Sequence, residues 1–281
     1  MTQLISPTKF TRTVDLLRSF FMDKGFEEVH TQNRLSILAA CEDPFNVATY
    51  NYAGNVWPLP QTGQMWLEHE LLSQPDSKGF FCVSTSYRQE PNAIPGRHDI
   101  IFPMFEFEFP GTFEDLKNMN RELVEHMGFA TPTEKTYAEW QEHFGLSSDI
   151  ELKAEHEVAM YNEFGSTFIT EFPEMTSPFW NMKRFDDGIR AKKMDVILGG
   201  METIGSAERS TNVDQMRDTF HTITNGEYSE LLYKLFSKER VEAELEKFLS
   251  FDFFPRVGGG IGMTRMIAAL DKLEEKALAA E

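Results

Sequence analysis

The sequence is poor in cysteine and has no long apolar run. Its two cysteines, Cys41 and Cys82, lack the spacing of a metal site. No window approaches about 18 uninterrupted apolar residues, and no basic start precedes an apolar stretch. These absences argue against a disulfide framework, a membrane span and a secretion signal. They predict a cytoplasmic protein in which both cysteines remain structural thiols.

Positive charge is also scarce. The chain carries 27 Lys and Arg against 45 Asp and Glu, which gives a formal net charge of -18 at pH 7. Proteins draw most of their non-specific affinity for nucleic acids from cations that displace counterions on phosphates, so a nucleic-acid partner such as tRNA is disfavoured. Short basic spots at Lys183–Arg184 and Arg190–Lys193 leave room for a small polyanion such as ATP.

Internal repeats, low-complexity tracts and a Walker-type phosphate loop are absent as well. Hydrophobic periodicity and turn residues predict strands grouped in hairpins with helices between the groups. The predicted strands are Phe26–Val29, Phe80–Arg88, Phe102–Phe109, Thr167–Glu171, Phe179–Phe185, Lys192–Leu198 and Glu202–Ala207. The predicted helices are Pro7–Lys24, Met65–Leu72, Thr112–Met127, Glu134–His143, Lys153–Phe164, Asn212–Phe220, Tyr228–Phe236, Lys238–Leu249 and Met263–Lys272, with a frayed tail after Leu273.

This pattern predicts an α+β fold with a mostly antiparallel sheet flanked by helices. A doubly wound nucleotide-binding fold is disfavoured. The composition is that of an ordinary globular protein, so residues 1–281 are expected to form a single catalytic domain.

The hairpin formed by the second and third predicted strands carries the first candidate site. Arg88 and Glu90 lie at the end of one strand, Arg97 and His98 lie in the loop, and Phe102 begins the returning strand. A guanidinium suits a phosphate or a carboxylate, a carboxylate accepts from an amine, and an aromatic ring can stack on a base. The alternative is a solvated hairpin with a simple ion pair.

Two further groups follow in the second half of the chain. Asp195 and Glu202 lie on neighbouring predicted strands and could share Mg²⁺ with substrate phosphates, and Arg209 at the same strand end could clamp a carboxylate. The glycine run Gly258–Gly262 lets the backbone approach a ligand closely and leads into a helix that carries Arg265. The alternatives are ordinary surface acids and a glycine run without a ligand.

In this order, the pieces resemble the three signature motifs of the class II aminoacyl-tRNA synthetases over about residues 8–272. The resemblance is greatest to the aspartyl and asparaginyl subgroup and its relatives, the ammonia-dependent asparagine synthetases. Supporting segments are Gly63–Met65, Arg97–His98, Thr170–Pro173, Ser177–Phe179, Asp186–Gly188, Met194–Val196, Glu202–Arg209 and Gly258–Arg265. The family's anticodon-binding domain is not expected in this chain.

The resemblance implies an AMP-forming enzyme that uses ATP and Mg²⁺. Catalytic roles are implied for Arg88 on the α-phosphate and for Arg265 near the γ-phosphate. Nucleotide contacts are implied for Arg88, Glu90, Arg97, His98, Phe102, Gly262 and Arg265, with Phe102 stacking on adenine. Mg²⁺ contacts are implied for Asp195 and Glu202. Amino-acid contacts are implied for Glu42, Gln64, Glu208 and Arg209, with Gln64 on the ammonium group and Arg209 on the far carboxylate or amide.

The expected activity is activation of the carboxylate of aspartate or an analogue, followed by transfer to a small amine. Leu67 stands where the aspartyl enzymes keep a substrate-binding lysine, and Glu68 makes the pocket more acidic. Two alternatives remain open: an aminoacyl transferase that acts on tRNA or a protein, and a regulatory paralogue that binds amino acids without turnover. The resemblance also implies a homodimer formed through the first helix and strand.

Overall fold

The computed structural model describes residues 4–31, 35–38, 47–89, 99–176 and 178–280. Its strands are β1 (Glu27–Glu28), β2 (Ala48–Tyr52), β3 (Asn55–Leu59), β4 (Phe80–Tyr87), β5 (Ile101–Pro110), β6 (Thr133–Thr136), β7 (Thr167–Pro173), β8 (Arg190–Leu198), β9 (Met201–Glu208) and β10 (Arg256–Gly262). Its α-helices are α1 (Pro7–Asp23), α2 (Gln64–Ser73), α3 (Phe113–His126), α4 (Tyr137–His143), α5 (Ala154–Phe164), α6 (Val213–Thr222), α7 (Glu227–Phe236), α8 (Lys238–Leu249) and α9 (Met263–Ala280).

Eight of these strands form one sheet in the order β1-β4-β5-β10-β9-β8-β7-β6, and β2 and β3 form a separate hairpin. The sheet is antiparallel except for its two outermost pairs, β1–β4 and β6–β7. The α+β prediction with a mostly antiparallel sheet is therefore confirmed. The predicted long-looped hairpin is also confirmed, with β4 and β5 antiparallel from the pair Phe80 and Glu108 to the pair Tyr87 and Ile101.

The two faces of the sheet differ in chemistry because successive side chains of a strand point to opposite sides. Phe105 and Phe107 of β5 pack against Phe21 of α1, with ring centroids 5.3 and 4.9 Å apart. Together with residues of α3 and α9 they close a large apolar core on that face. Glu106 and Glu108, the alternating residues, are also fully buried, on the opposite, polar face.

The polar face is covered by α2 and by the helices α6, α7 and α8. A second apolar cluster joins Trp66 of α2 to these three helices and to Phe179 and Trp180. This cluster forms one wall of the space above the sheet. None of the described helices is both long enough and apolar enough to cross a membrane.

Most predicted elements are present, but two boundaries were wrong. The helix predicted from Glu134 begins only at Tyr137, because Thr133–Thr136 pairs with β7 as a parallel strand. The tail predicted to fray after Leu273 continues as helix α9 to Ala280. Lys276 of that tail lies 4.0 Å from the ring centroid of Tyr161, a contact that favours the extra helical turns.

The strand predicted at Phe179–Phe185 was also wrong. This segment forms only two isolated bridges, one at Met182 and one at Arg184. Four consecutive residues, 179–182, are buried, so the segment does not alternate between two faces. The Arg184 guanidinium donates to the carbonyl oxygens of Pro178, Phe179 and Met182, which satisfies acceptors that a neighbouring strand would otherwise bind.

The glycines of β10 are required by close packing against neighbouring side chains. A Cβ atom on Gly258 would lie 1.8 Å from Oε2 of Glu108 and 2.4 Å from the carbonyl oxygen of Phe107. A Cβ atom on Gly260 would lie 2.8 Å from Nε2 of Gln64. The glycine run therefore lets polar side chains from β5 and α2 lie directly over the sheet.

We expect Gly258→Ala to lower the free energy of unfolding by about 2–3 kcal/mol, because both the Glu108 carboxylate and the backbone of β5 would have to move. Gly262→Ala is the matched control, since its nearest atoms would lie 3.7 Å or more away. Urea unfolding of both variants measures the difference. Equal stability of the two variants would contradict this packing role.

Candidate active site

A cavity of about 100 Å³ lies on the polar face of the sheet. It is lined by four of the side chains predicted to be functional: Gln64, Arg88, Glu202 and Arg209. Gln64 begins α2, Arg88 follows β4, Glu202 lies in β9, and Arg209 follows β9. The sheet therefore brings residues up to 145 positions apart in sequence into one site.

Arg88 and Phe102 lie together at the loop end of the β4–β5 hairpin. The guanidinium carbon of Arg88 is 5.5 Å from the ring centroid of Phe102, and the Arg88 backbone N–H donates to the carbonyl oxygen of Ile100 at 2.8 Å. The pair thus offers a cation beside a partly exposed ring, an arrangement suited to a phosphate next to a base.

Asp195 and Glu202 flank a common glycine. A Cβ atom on Gly205 would lie 3.0 Å from Oε1 of Glu202 and 3.6 Å from Oδ1 of Asp195, so the space between the two carboxylates depends on this glycine. Two hard oxygen donors beside an open space fit Mg²⁺, which commonly binds one or two carboxylates and completes its shell with phosphates and water. Lys193 lies nearby, with Nζ 3.6 Å from Oδ2 of Asp195.

Arg265 borders the same region through Glu202. Its Nη1 donates to the carbonyl oxygen of Glu202 at 2.7 Å and lies 3.6 Å from Oε2 of the same residue. Gly262 lies against the Arg265 side chain, with 3.7 Å between Cδ of Arg265 and the position of an added Cβ. Arg265 therefore lies beside Glu202, one of the two carboxylates predicted to hold Mg²⁺.

Glu208 lies apart from the other predicted residues. Its carboxylate accepts from Nζ of Lys183 at 2.6 Å, from Nζ of Lys192 at 3.1 Å and from the backbone N–H of Phe113 at 3.0 Å. These contacts are on the α3 side, because Glu208 immediately precedes Arg209 and its side chain points the other way. The structure does not bring Glu208 to the cavity, so the predicted substrate contact is corrected to a structural one.

Four predicted site residues lie outside the described part of the chain. They are Glu42, Glu90, Arg97 and His98.

The floor of the cavity is a buried network of charges. Arg256 donates from Nε and Nη2 to Oε2 of Glu68, at 2.9 and 2.6 Å. Arg209 donates from Nε and Nη2 to the two oxygens of Glu108, at 3.1 and 3.0 Å, and from Nη2 to Oε1 of Gln64 at 2.9 Å. All four charged side chains are at most 3% exposed. Two carboxylates thus balance two guanidiniums beneath the ligand space.

Burial raises the pKa of Glu108 from 4.5 to about 7, although the charge of Arg209 acts in the opposite direction. The neighbouring carboxylate of Glu68 contributes to the increase. Burial also raises the pKa of Glu106, against hydrogen bonds from Ser84 and from the turn before α2. Protonation of Glu108 near neutral pH would change the charge balance around Arg209.

Glu106 fixes the start of α2, where Gln64 lies. Its carboxylate accepts from the backbone N–H of Gly63 at 2.7 Å and from the hydroxyl of Thr62. It also accepts from the hydroxyl of Ser84 at 2.5 Å. The position of Gln64 over the sheet is therefore set from β5 rather than by the helix alone.

Sequence reasoning missed the roles of Glu106, Glu108 and Arg256. The alternation of Phe and Glu from Phe105 to Phe109 was a usable signal, since it predicts that both acids lie on one face. Acids in such a pattern usually face solvent. The sequence of the strand alone does not predict that α2 covers Glu106 and Glu108.

The sheet and its flanking helices have the fold of the class II aminoacyl-tRNA synthetase core. The family model described as tRNA synthetases class II (D, K and N) matches residues 8–275. The chain therefore belongs to this family, as the sequence resemblance predicted. No curated protein matches the chain.

Solved structures with this fold include three synthetases. The chain is 18% identical to asparaginyl-tRNA synthetase from Pyrococcus horikoshii complexed with asparaginyl-adenylate (TM-score 0.77, 95% of this chain and 65% of that one). It is 19% identical to the Entamoeba histolytica asparaginyl-tRNA synthetase complex with asparaginyl-adenylate (TM-score 0.73, 94% and 63%). It is 16% identical to a putative aspartyl-tRNA synthetase from Leishmania major Friedlin (TM-score 0.71, 95% and 62%). The chain spans less than two thirds of each of these proteins.

We expect the pH profile of stability to report the raised pKa of Glu108. Between about pH 4.5 and 7 the folded protein holds a proton on Glu108 that the unfolded chain releases, so this group's contribution to stability falls as pH rises through that window. Across this pH window the free energy of unfolding of the wild type, relative to that of Glu108→Gln, should fall by about 1–3 kcal/mol. Urea unfolding at several pH values measures it for both proteins, and the same pH dependence in both would contradict the prediction.

Proposed function

We propose that this protein is an ATP-dependent, AMP-forming ligase that activates the side-chain carboxylate of aspartate or an analogue and transfers the acyl group to a small amine, as an asparagine synthetase does. In the first step a carboxylate oxygen attacks the α-phosphorus of ATP, and the bond to the bridging oxygen breaks to release pyrophosphate. In the second step the amine nitrogen attacks the acyl carbon, loses a proton, and AMP leaves.

The convergence of Gln64, Arg88, Glu202 and Arg209 on one cavity carries this proposal. We assign Arg88 to the α-phosphate, where a guanidinium stabilises the charge that develops during attack. Phe102 would stack on adenine, and Arg265 would contact the nucleotide beside Gly262. Positioning and charge stabilisation are most of what phosphoryl chemistry needs from a protein.

Asp195 and Glu202 would hold Mg²⁺ against the phosphates, and the ion would neutralise the charge of the leaving pyrophosphate. Their placement on either side of Gly205 supports this assignment. Gln64 and Arg209 would bind the end of the amino acid that does not react. Arg209 is well suited, since the buried Glu108 holds its guanidinium in place.

The formal charge of -18 favours a small amine over tRNA as the acceptor. The main alternative is an aminoacyl transferase that activates an α-carboxylate and acts on tRNA or a protein, and the likeness to tRNA synthetases supports it. A regulatory paralogue without turnover is less favoured, because Arg88, Asp195, Glu202 and Arg265 are all present.

We further propose that residues 1–281 act as one catalytic domain and that the protein is a homodimer. β1 lies at the edge of the sheet and pairs only with β4 among the described strands, so its outer side is available to a second copy. Helix α1 packs beside it. Sedimentation of the purified protein would test the dimer.

Amino-acid-dependent exchange of pyrophosphate into ATP tests the activation step. We expect exchange with aspartate or a close analogue, and AMP release that rises with ammonia or hydroxylamine. Exchange with no amino acid would favour the regulatory alternative. AMP release that requires tRNA would favour the transferase.

Arg88→Ala is expected to lower the exchange rate by about 100-fold or more, because it removes the main cation at the α-phosphate. Arg217→Ala is the matched control, since Arg217 lies on α6, pairs with Glu246 and does not line the cavity. Circular dichroism would check that both variants fold. Retention of full exchange activity by Arg88→Ala would rule out the assignment of Arg88.

A further inference from the structure

Asn181 is a fully buried residue that lines the cavity. Its Nδ2 donates to Oε1 of Glu68 at 2.6 Å and contacts the sulfur of Met65 at 3.2 Å. Because the Glu68 carboxylate accepts from Nε and Nη2 of Arg256, it acts as an acceptor toward Asn181 as well. The orientation of the Asn181 amide is therefore fixed, with Oδ1 directed away from Glu68.

Oδ1 of Asn181 is buried and has no hydrogen-bond partner among the described residues. A buried acceptor that receives no hydrogen bond destabilises the folded protein, and a ligand that donates a hydrogen bond to it relieves that cost. Asn120 has the same pattern, since its Nδ2 donates to Ser206 while its Oδ1 is also without a partner. Asn120 belongs to α3 and does not line the cavity, so only Asn181 is placed to meet a ligand.

The backbone around Asn181 places it beside Arg209. The carbonyl oxygen of Asn181 accepts from the N–H of Ser210 at 2.7 Å, and Met182 forms a bridge with Arg209. Arg209 also lies 3.6 Å from Oε1 of Glu68, the atom that receives the Asn181 amide. Asn181 and Arg209 thus share one carboxylate at the same end of the cavity.

Gln64 is the other amide at this end, and the sequence resemblance assigned it to the ammonium group. Its Oε1 already accepts from Nη2 of Arg209, which leaves Nε2 as the group available to donate. A donating amide suits a carboxylate oxygen better than an ammonium. The acceptor that an ammonium requires is Oδ1 of Asn181.

We propose that Asn181 is a specificity-determining residue whose Oδ1 accepts a hydrogen bond from the α-ammonium of the donor amino acid, while Arg209 and Gln64 bind its α-carboxylate. This inference rests on the proposed function. A zwitterionic end carries no net charge, so its binding leaves the net charge of the buried site unchanged. A dicarboxylate without the ammonium, such as succinate, leaves the acceptor unsatisfied and is selected against.

The test is a comparison of L-aspartate and succinate in the exchange assay with three variants. Asn181→Leu keeps the volume and removes the acceptor, so the KM for L-aspartate should rise by about tenfold or more while the KM for ATP stays within about twofold. In Asn181→Asp the new carboxyl group should keep a proton, because it lies beside the Glu68 carboxylate and takes over the donor role of Nδ2. Its other oxygen remains an acceptor, so this variant should retain the preference for L-aspartate over succinate. Asn120→Leu is the matched control and should change neither KM.

Loss of the L-aspartate preference in Asn181→Leu, with its retention in Asn181→Asp, would support the inference. Equal losses in both variants would indicate a steric role and overturn it, as would a wild-type protein that uses succinate as well as L-aspartate. Should Asn181→Leu fail to fold, the inference is still tested by the use of L-aspartate and succinate by the wild type and by Asn181→Asp. A wild type that exchanges with no amino acid would instead overturn the proposed function and this inference with it.

Discussion

The site depends on the buried pairing of two carboxylates with two guanidiniums beneath the cavity. Glu68 with Arg256 and Glu108 with Arg209 join α2, β5, β10 and the end of β9 in one network. Removal of one partner would leave a buried charge without compensation, which typically costs about 3–5 kcal/mol. The fold and the electrostatics of the ligand space are thus maintained by the same contacts, because the groups that hold the strands together also orient Arg209.

The glycines of β10 are the steric counterpart of this network. Gly258 leaves room for Glu108, and Gly260 leaves room for Gln64. At these two positions the absence of a side chain lets the buried charges lie directly on the sheet, at the floor of the cavity. A segment that resembles a nucleotide-binding motif therefore also shapes the end of the cavity that we propose binds the amino acid.

Much of the fold could be predicted from local pattern. The amphipathic period identified α1, and strand-forming runs on either side of a loop with Gly and Pro identified β4 and β5. Thr112, where the third helix was predicted to begin, caps α3 in the structure through a reciprocal bond with Asp115. The failures came where tertiary contacts override local preference. Thr133–Thr136 becomes a strand because it pairs with β7, and the segment 179–182 is not a regular strand because Arg184 binds the carbonyl oxygens of Phe179 and Met182.

The sequence by itself determined which functional groups exist and which of them share a face of a strand. Side chains alternate between the two faces along a strand, so this property depends only on neighbouring residues. It determined that Arg88, Phe102, Asp195, Glu202 and Arg265 occur in the order of the family's motifs. Only the tertiary structure decided what covers each face. Glu106 and Glu108 are buried under α2, whereas Glu208 binds lysines on the far side. Burial and orientation depend on elements distant in sequence, so no local pattern specifies them.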